Sequence, residues 1–143
     1  MTRFLALTAV LLLFSCSKPT PAAIEANDAW ARATAEGQSG AVYVILANKG
    51  GADDRLVSAS TPRASMAMIH RNDESGGMAR MRSVEALDVP AGERIDLKPG
   101  GTHVMLMGLD EPLRAGEHFD LKLKFEHSGE KTVSVAVVAA GGQ

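Results

Sequence analysis

The chain has 143 residues, 45% of them hydrophobic and 22% charged, enough for one domain with a substantial core and too few for a second of similar size. Its formal net charge is −2 and no block of lysine or arginine stands out, so the composition predicts no nucleic-acid partner.

The N-terminal stretch "MTRFLALTAVLLLFSC" sets one basic residue, Arg3, before an apolar run from Phe4 to Phe14, and Ser15-Cys16 follow. That run is too short to cross a bilayer as a helix and has the proportions of an export signal. The ending "LLFSC" resembles the lipobox of bacterial lipoproteins, which implies cleavage before Cys16 and acylation of its sulfur. The alternative is an ordinary secretory signal cut a few residues later. Residues 1–16 are therefore read as a signal peptide, 17–23 ("SKPTPAA") as a flexible tether, 24–138 as the domain and 139–143 as a short tail. The mature protein is expected to be exported, with a membrane anchor at Cys16. Cys16 is the only cysteine, so once it is acylated the domain has no disulfide, redox pair or thiolate ligand.

Beyond the tether, short apolar runs recur between turn signals: "AIEANDAWARAT", "GAVYVILAN", "DRLVSAST", "RMRSVEAL", "RIDLKPGG", "THVMLMGL", "HFDLKLKFE" and "KTVSVAVVAA". The breaks, such as "NKGGADD", "DESGG" and "HSGEK", carry turn chemistry. In "FDLKLKFE" the residues Phe119, Leu121, Leu123 and Phe125 alternate with polar ones, the period of a half-buried strand. Many short strands at this spacing predict an all-β antiparallel sandwich or barrel. Trp30 is expected in the core, with a cation–π lid as the alternative, and His118 and His127 on the surface.

The methionines do not follow the general pattern. All except Met1 fall between positions 66 and 107: Met66, Met68, Met78, Met81, Met105 and Met107, with His70 and His103 among them. In "THVMLMGL", period two sends His103, Met105 and Met107 from one face of a strand; "SMAMIH" does the same with Met66, Met68 and His70. Methionine packs irregular cores well, so each residue taken singly reads as packing. The clustering is what packing leaves unexplained, because "VYVIL", "FDLKLKF" and "VSVAVV" contain no methionine. Thioethers and imidazoles suit Cu(I) and are poor ligands for magnesium, calcium or manganese. A thioether binds without losing a proton and survives an oxidising compartment as a thiol does not.

Ten residues separate His70 from Met81, twenty-one separate Met81 from His103, and one separates His103 from Met105. This spacing resembles the H/M-x10-M-x21-H-x-M signature of the periplasmic copper(I) chaperones called PCu(A)C. "DAWAR", "AVY", "DDRL" and "VPAGERIDLKPGGTHVMLMGL" extend the likeness from about Ile24 to Val138. The resemblance implies a cupredoxin-like Greek-key β-sandwich holding one Cu(I) through His70, Met81, His103 and Met105. It also implies delivery towards the binuclear copper site of cytochrome c oxidase, either to the copper subunit itself or with a Sco-type thiol protein. Some members carry a C-terminal tail rich in His and Met; this chain ends "VAAGGQ", which puts a tail-based second site in doubt. Met68 and Met78 are candidates to shield the ion or guide it in. Met107 reads either as packing or as an alternate ligand.

Three rival readings differ in kind. A blue-copper electron carrier needs a cysteine ligand that the domain lacks. A metal-free lipoprotein sandwich acting as a structural or interaction module is the alternative function. An enzyme has the least support, since no nucleophile–base ordering or phosphate loop is visible in the sequence.

Overall fold

A computed structural model describes residues 20–141. Cys16 and the signal segment lie outside the described residues. Ten strands and no helix are found among those described: β1 (Ile24–Arg32), β2 (Gly40–Asn48), β3 (Asp54–Ser60), β4 (Ala64–Ser75), β5 (Met78–Ser83), β6 (Leu87–Val89), β7 (Arg94–Asp96), β8 (Thr102–Leu109), β9 (His118–Phe125) and β10 (Gly129–Val138).

The strands follow the order β5-β4-β8-β2-β1-β10-β9-β3-β6, with β7 alongside β2. The sheet folds over so that the inner faces of its two halves enclose one core. Val42, Val44 and Leu46 of β2 and Val104 and Leu106 of β8 meet Leu121, Leu123 and Phe125 of β9 and Val135 of β10 in that core. The alternation read in β9 is realised residue for residue: Phe119, Leu121, Leu123 and Phe125 point in and the residues between them point out. Among the described residues all ladders are antiparallel except β1–β10, which is parallel and joins the two halves. That ladder is the one departure from the expected antiparallel pairing.

Two features fix the frame. Asn48 ends β2 buried, and its amide group is fully used. Its Oδ1 accepts from the Ala23 and Gly50 amides, and its Nδ2 donates to the Ala52 and Val89 carbonyls. Asp54 accepts from the backbone amides of Arg55, His127 and Ser128 and so ties the start of β3 to the β9–β10 turn. Burial pushes the Asp54 carboxyl up, but the interaction with the Ser128 side chain and those backbone hydrogen bonds together outweigh it and hold the group below its ordinary value.

Thr20–Ala23, read from sequence as the end of a flexible tether, lie against the domain. The Gly51 amide donates to the Thr20 carbonyl and the Lys49 amide to the Ala23 carbonyl. A Cβ at Gly50 would collide with the Pro21 carbonyl, so this close approach requires glycine.

Candidate metal centre

The β4–β8 ladder decides where the methionines go. Its register sets His70 opposite His103, Met68 opposite Met105 and Met66 opposite Met107. Directly opposed residues in an antiparallel pair have Cβ atoms about 4.5–5.5 Å apart and share a face. Ile69, Val104 and Leu106, at the intervening positions, point into the core. The six soft side chains therefore stand on the outer face as three successive rungs. None of them belongs to the hydrophobic core or to the apolar side chains packed against it.

Met81 lies on β5 opposite Asn72, which puts it on the same outer face as a diagonal neighbour of His70. Such diagonal pairs sit about 7–8 Å apart, within reach of a methionine side chain. It is half exposed, at 50%. Met78, three residues earlier on β5, faces the other side of the hairpin. The fold thus gathers His70, Met81, His103, Met105, Met68 and Met107 on one face and leaves Met78 off it. Met66 completes the row, although the sequence argument gave it no role. Its alternation with Met68 and His70 was the available signal.

The two imidazoles differ in surroundings. His103 is 4% exposed, and its Nδ1 lies 3.2 Å from the Gly101 carbonyl oxygen. A carbonyl only accepts, so this contact places the proton on Nδ1 and leaves the Nε2 lone pair free to bind a metal. In His70 the buried Nδ1 has no hydrogen-bond partner. Burial, and then the proximity of His103, lowers the His70 pKa, so its ring stays neutral to lower pH than usual. The ring centroids are 6.0 Å apart in an edge-on arrangement. With metal–nitrogen bonds of about 2 Å, rings at this separation can each turn one nitrogen to a shared ion. An unpartnered buried nitrogen beside a second available lone pair, with thioethers on the next rung, fits a soft monovalent cation. Among the described residues no group of three or more His, Cys, Asp or Glu forms a harder site.

Trp30 corrects the sequence expectation. It stands on the outer face, 4.5 Å from the Tyr43 ring, with the Arg32 guanidinium 5.7 Å above its own. A β-bulge between Asn27 and Trp30, with Asp28 at φ 51°, shifts the register of β1 on β2. Before the bulge Ile24 and Ala26 face inward; after it Ala29 and Ala31 do, and Trp30 is turned out. The consequence is an aromatic row across four adjacent strands. Trp30 meets Tyr43, the Tyr43 ring is 6.2 Å from His103, and His103 meets His70. His118 and His127 are exposed, as expected. Open hollows of about 520 Å³ beside Trp30 and about 370 Å³ beside Asn48 are lined by none of the His and Met residues of this face.

Fold and face together define a cupredoxin-like β-sandwich that displays imidazoles and thioethers at its surface. Comparison with known proteins agrees. The LpqE-like family model, described as that of a lipoprotein, matches residues 24–137. A lipoprotein-named relative from Leifsonia xyli subsp. xyli, Lxx21020, is 30% identical over 93% of this chain and 82% of its own length. Among solved structures, the copper-bound PCuAC domain from PmoF2 superposes with a TM-score of 0.69 at 26% identity, covering 81% of this chain and 92% of that one. The Cu(I) form of DR1885 from Deinococcus radiodurans gives 0.64 at 33% identity over 88% and 83%. The chain belongs to the LpqE-like family, and its domain is of the PCuAC type.

Proposed function

We propose that this protein is a periplasmic copper carrier that binds one Cu(I) through His70, Met81, His103 and Met105 and releases it by ligand exchange. The observation that carries this reading is the His70/His103 rung, where two ring nitrogens are available beside the Met68/Met105 thioethers. Four neutral ligands leave the ion's single positive charge uncompensated and add no thiolate. An acceptor with cysteine ligands draws the ion away downhill, through an intermediate in which both proteins contribute ligands. The exposure of Met81 makes it the first ligand an acceptor can displace. His103, buried and held by Gly101, is the last to let go.

The copper-bound PCuAC neighbours support copper as the cargo, and the lipoprotein description of the family supports attachment to a membrane through Cys16. Within this reading the ion is bound for the binuclear site of cytochrome c oxidase, through its copper subunit or a Sco-type thiol protein. The role is transport, and no step of it breaks a covalent bond of a substrate.

An anaerobic Cu(I) titration against a chromogenic chelator tests the proposal. The protein is expected to hold one tight equivalent. The His103→Ala/Met105→Ala variant should lose more than about 1,000-fold in affinity, since even the groups that merely orient a ligand are worth about 10–100-fold. Equal competition by both proteins would sink the four-ligand assignment, and no competition by either would favour a metal-free module.

A further inference from the structure

The rung formed by Met66 and Met107 lies outside the four-ligand set, and packing does not account for it. Met66 is 52% exposed and Met107 half-buried, and neither touches the core cluster. A surface strand gains nothing from two opposed thioethers that serine, threonine or lysine would not supply at lower cost in exposed apolar area. The backbone here is held closely. The Ser65 hydroxyl donates to the Met107 carbonyl at 3.2 Å. Next to it Gly108 adopts φ 62°, and a Cβ at that position would collide with Ser65 Oγ. Glycine at 108 therefore lets the two strands close at this rung and fixes the spacing of the two methionines.

Same-face rungs succeed one another at about 7 Å along a strand. Between Met66/Met107 and His70/His103 stands a single rung, and it is Met68/Met105. Soft donors thus continue without a break from the exposed edge of the ladder to the imidazole pair, where His103 is buried and His70 half-buried. Two thioethers alone hold a soft cation weakly and without charge. Two imidazoles with thioethers hold it more tightly, so affinity rises along the row towards His103.

We propose that Met66 and Met107 form a second, weaker Cu(I) site, and that the ion reaches and leaves the His70/His103 site by way of the Met68/Met105 rung. This rests on the copper-carrier reading but concerns residues that reading does not use. Because thioethers carry no proton, transfer along the row requires no deprotonation, and each move exchanges one neutral sulfur donor for the next.

The test uses the full chain with ¹³C-labelled methionine methyl groups and Ag(I) as a soft, redox-silent probe. The first equivalent is expected to shift the Met81 and Met105 methyl signals, and the second those of Met66 and Met107. Met66→Leu/Met107→Leu, a substitution that keeps apolar volume, should retain the first event and abolish the second. It should also slow release of Cu(I) to a chelator about tenfold, the low end of what a supporting ligand contributes. Met66 and Met107 signals that stay still through the second equivalent would overturn the proposal. So would a second event and a release rate unchanged in the variant. Shifts at Met66 and Met107 with none at Met81 and Met105 would support the methionine pair while overturning the four-ligand assignment, so the two readings fail separately.

Discussion

Asn48, a buried side chain, and His70, a half-buried one with a buried ring nitrogen, lie at two places on the same sheet, and the fold treats them in opposite ways. Asn48 has a partner for each of its donors and acceptors, drawn from three different segments of chain. His70 keeps a buried ring nitrogen with none. A buried polar group with all its bonds made belongs to the architecture. One left incomplete costs stability, and a site that tolerates this cost is a place to look for a ligand. The same division runs through β8 alone. Val104 and Leu106 build the core from its inner face, while His103, Met105 and Met107 occupy its outer face and add nothing to the core cluster.

This contrast can be broken by substitution. The largest effect is expected at Asn48. Asn48→Ala strands two amides and two carbonyls, at about 1–3 kcal/mol for each group that stays buried, and should cost about 3–5 kcal/mol in denaturant unfolding. Copper affinity of the folded variant should match that of the parent; a large loss would mean that the frame and the metal face are not independent.

His70→Leu should do the reverse. It removes the unpartnered nitrogen and keeps an apolar body, so the metal-free protein should be as stable as the parent or up to about 1 kcal/mol more stable. Its Cu(I) affinity should fall by more than about 100-fold. A variant that lost stability and kept its affinity would assign His70 to the frame with Asn48.

The smallest effect is a slope with pH. The folded pKa of His70 lies below the ordinary 6.5, so between that lowered value and 6.5 the unfolded chain binds more protons. Stability of the metal-free protein should therefore fall as pH drops through this window and level off below the folded pKa. Asp54 and Glu117 are also lowered, from 3.8 and 4.5, and act only at more acidic pH. Unfolding curves at several pH values above 5 should show the slope in the parent and its loss in His70→Leu. Identical slopes would remove His70 as the source.

Much of this molecule was legible in one dimension because its signals are local. Period two in "FDLKLKFE" fixes which residues of β9 face the core, whatever strand lies beside it. The same period puts His103, Met105 and Met107 on one face of β8 and Met66, Met68 and His70 on one face of β4. The spacing of His70, Met81, His103 and Met105 carried the resemblance to a family that the comparisons support.

Pairing is not local, and there the sequence fell silent. That the two alternating triplets stand opposite each other, His against His and Met against Met, depends on the register of β4 on β8 across more than thirty intervening residues. Nor could the pattern tell whether that shared face looks inward or out, which left Met107 open between packing and ligation. Trp30 was misplaced for a related reason. One bulge at Asp28 reverses the parity of β1, and a bulge is an accommodation between two strands rather than a property of one. The sequence by itself determined which chemical groups this protein could offer a metal and which strands carry them. Only the tertiary structure decided that they converge on the outer face, because register, bulge and burial are set by long-range contacts that no local pattern encodes.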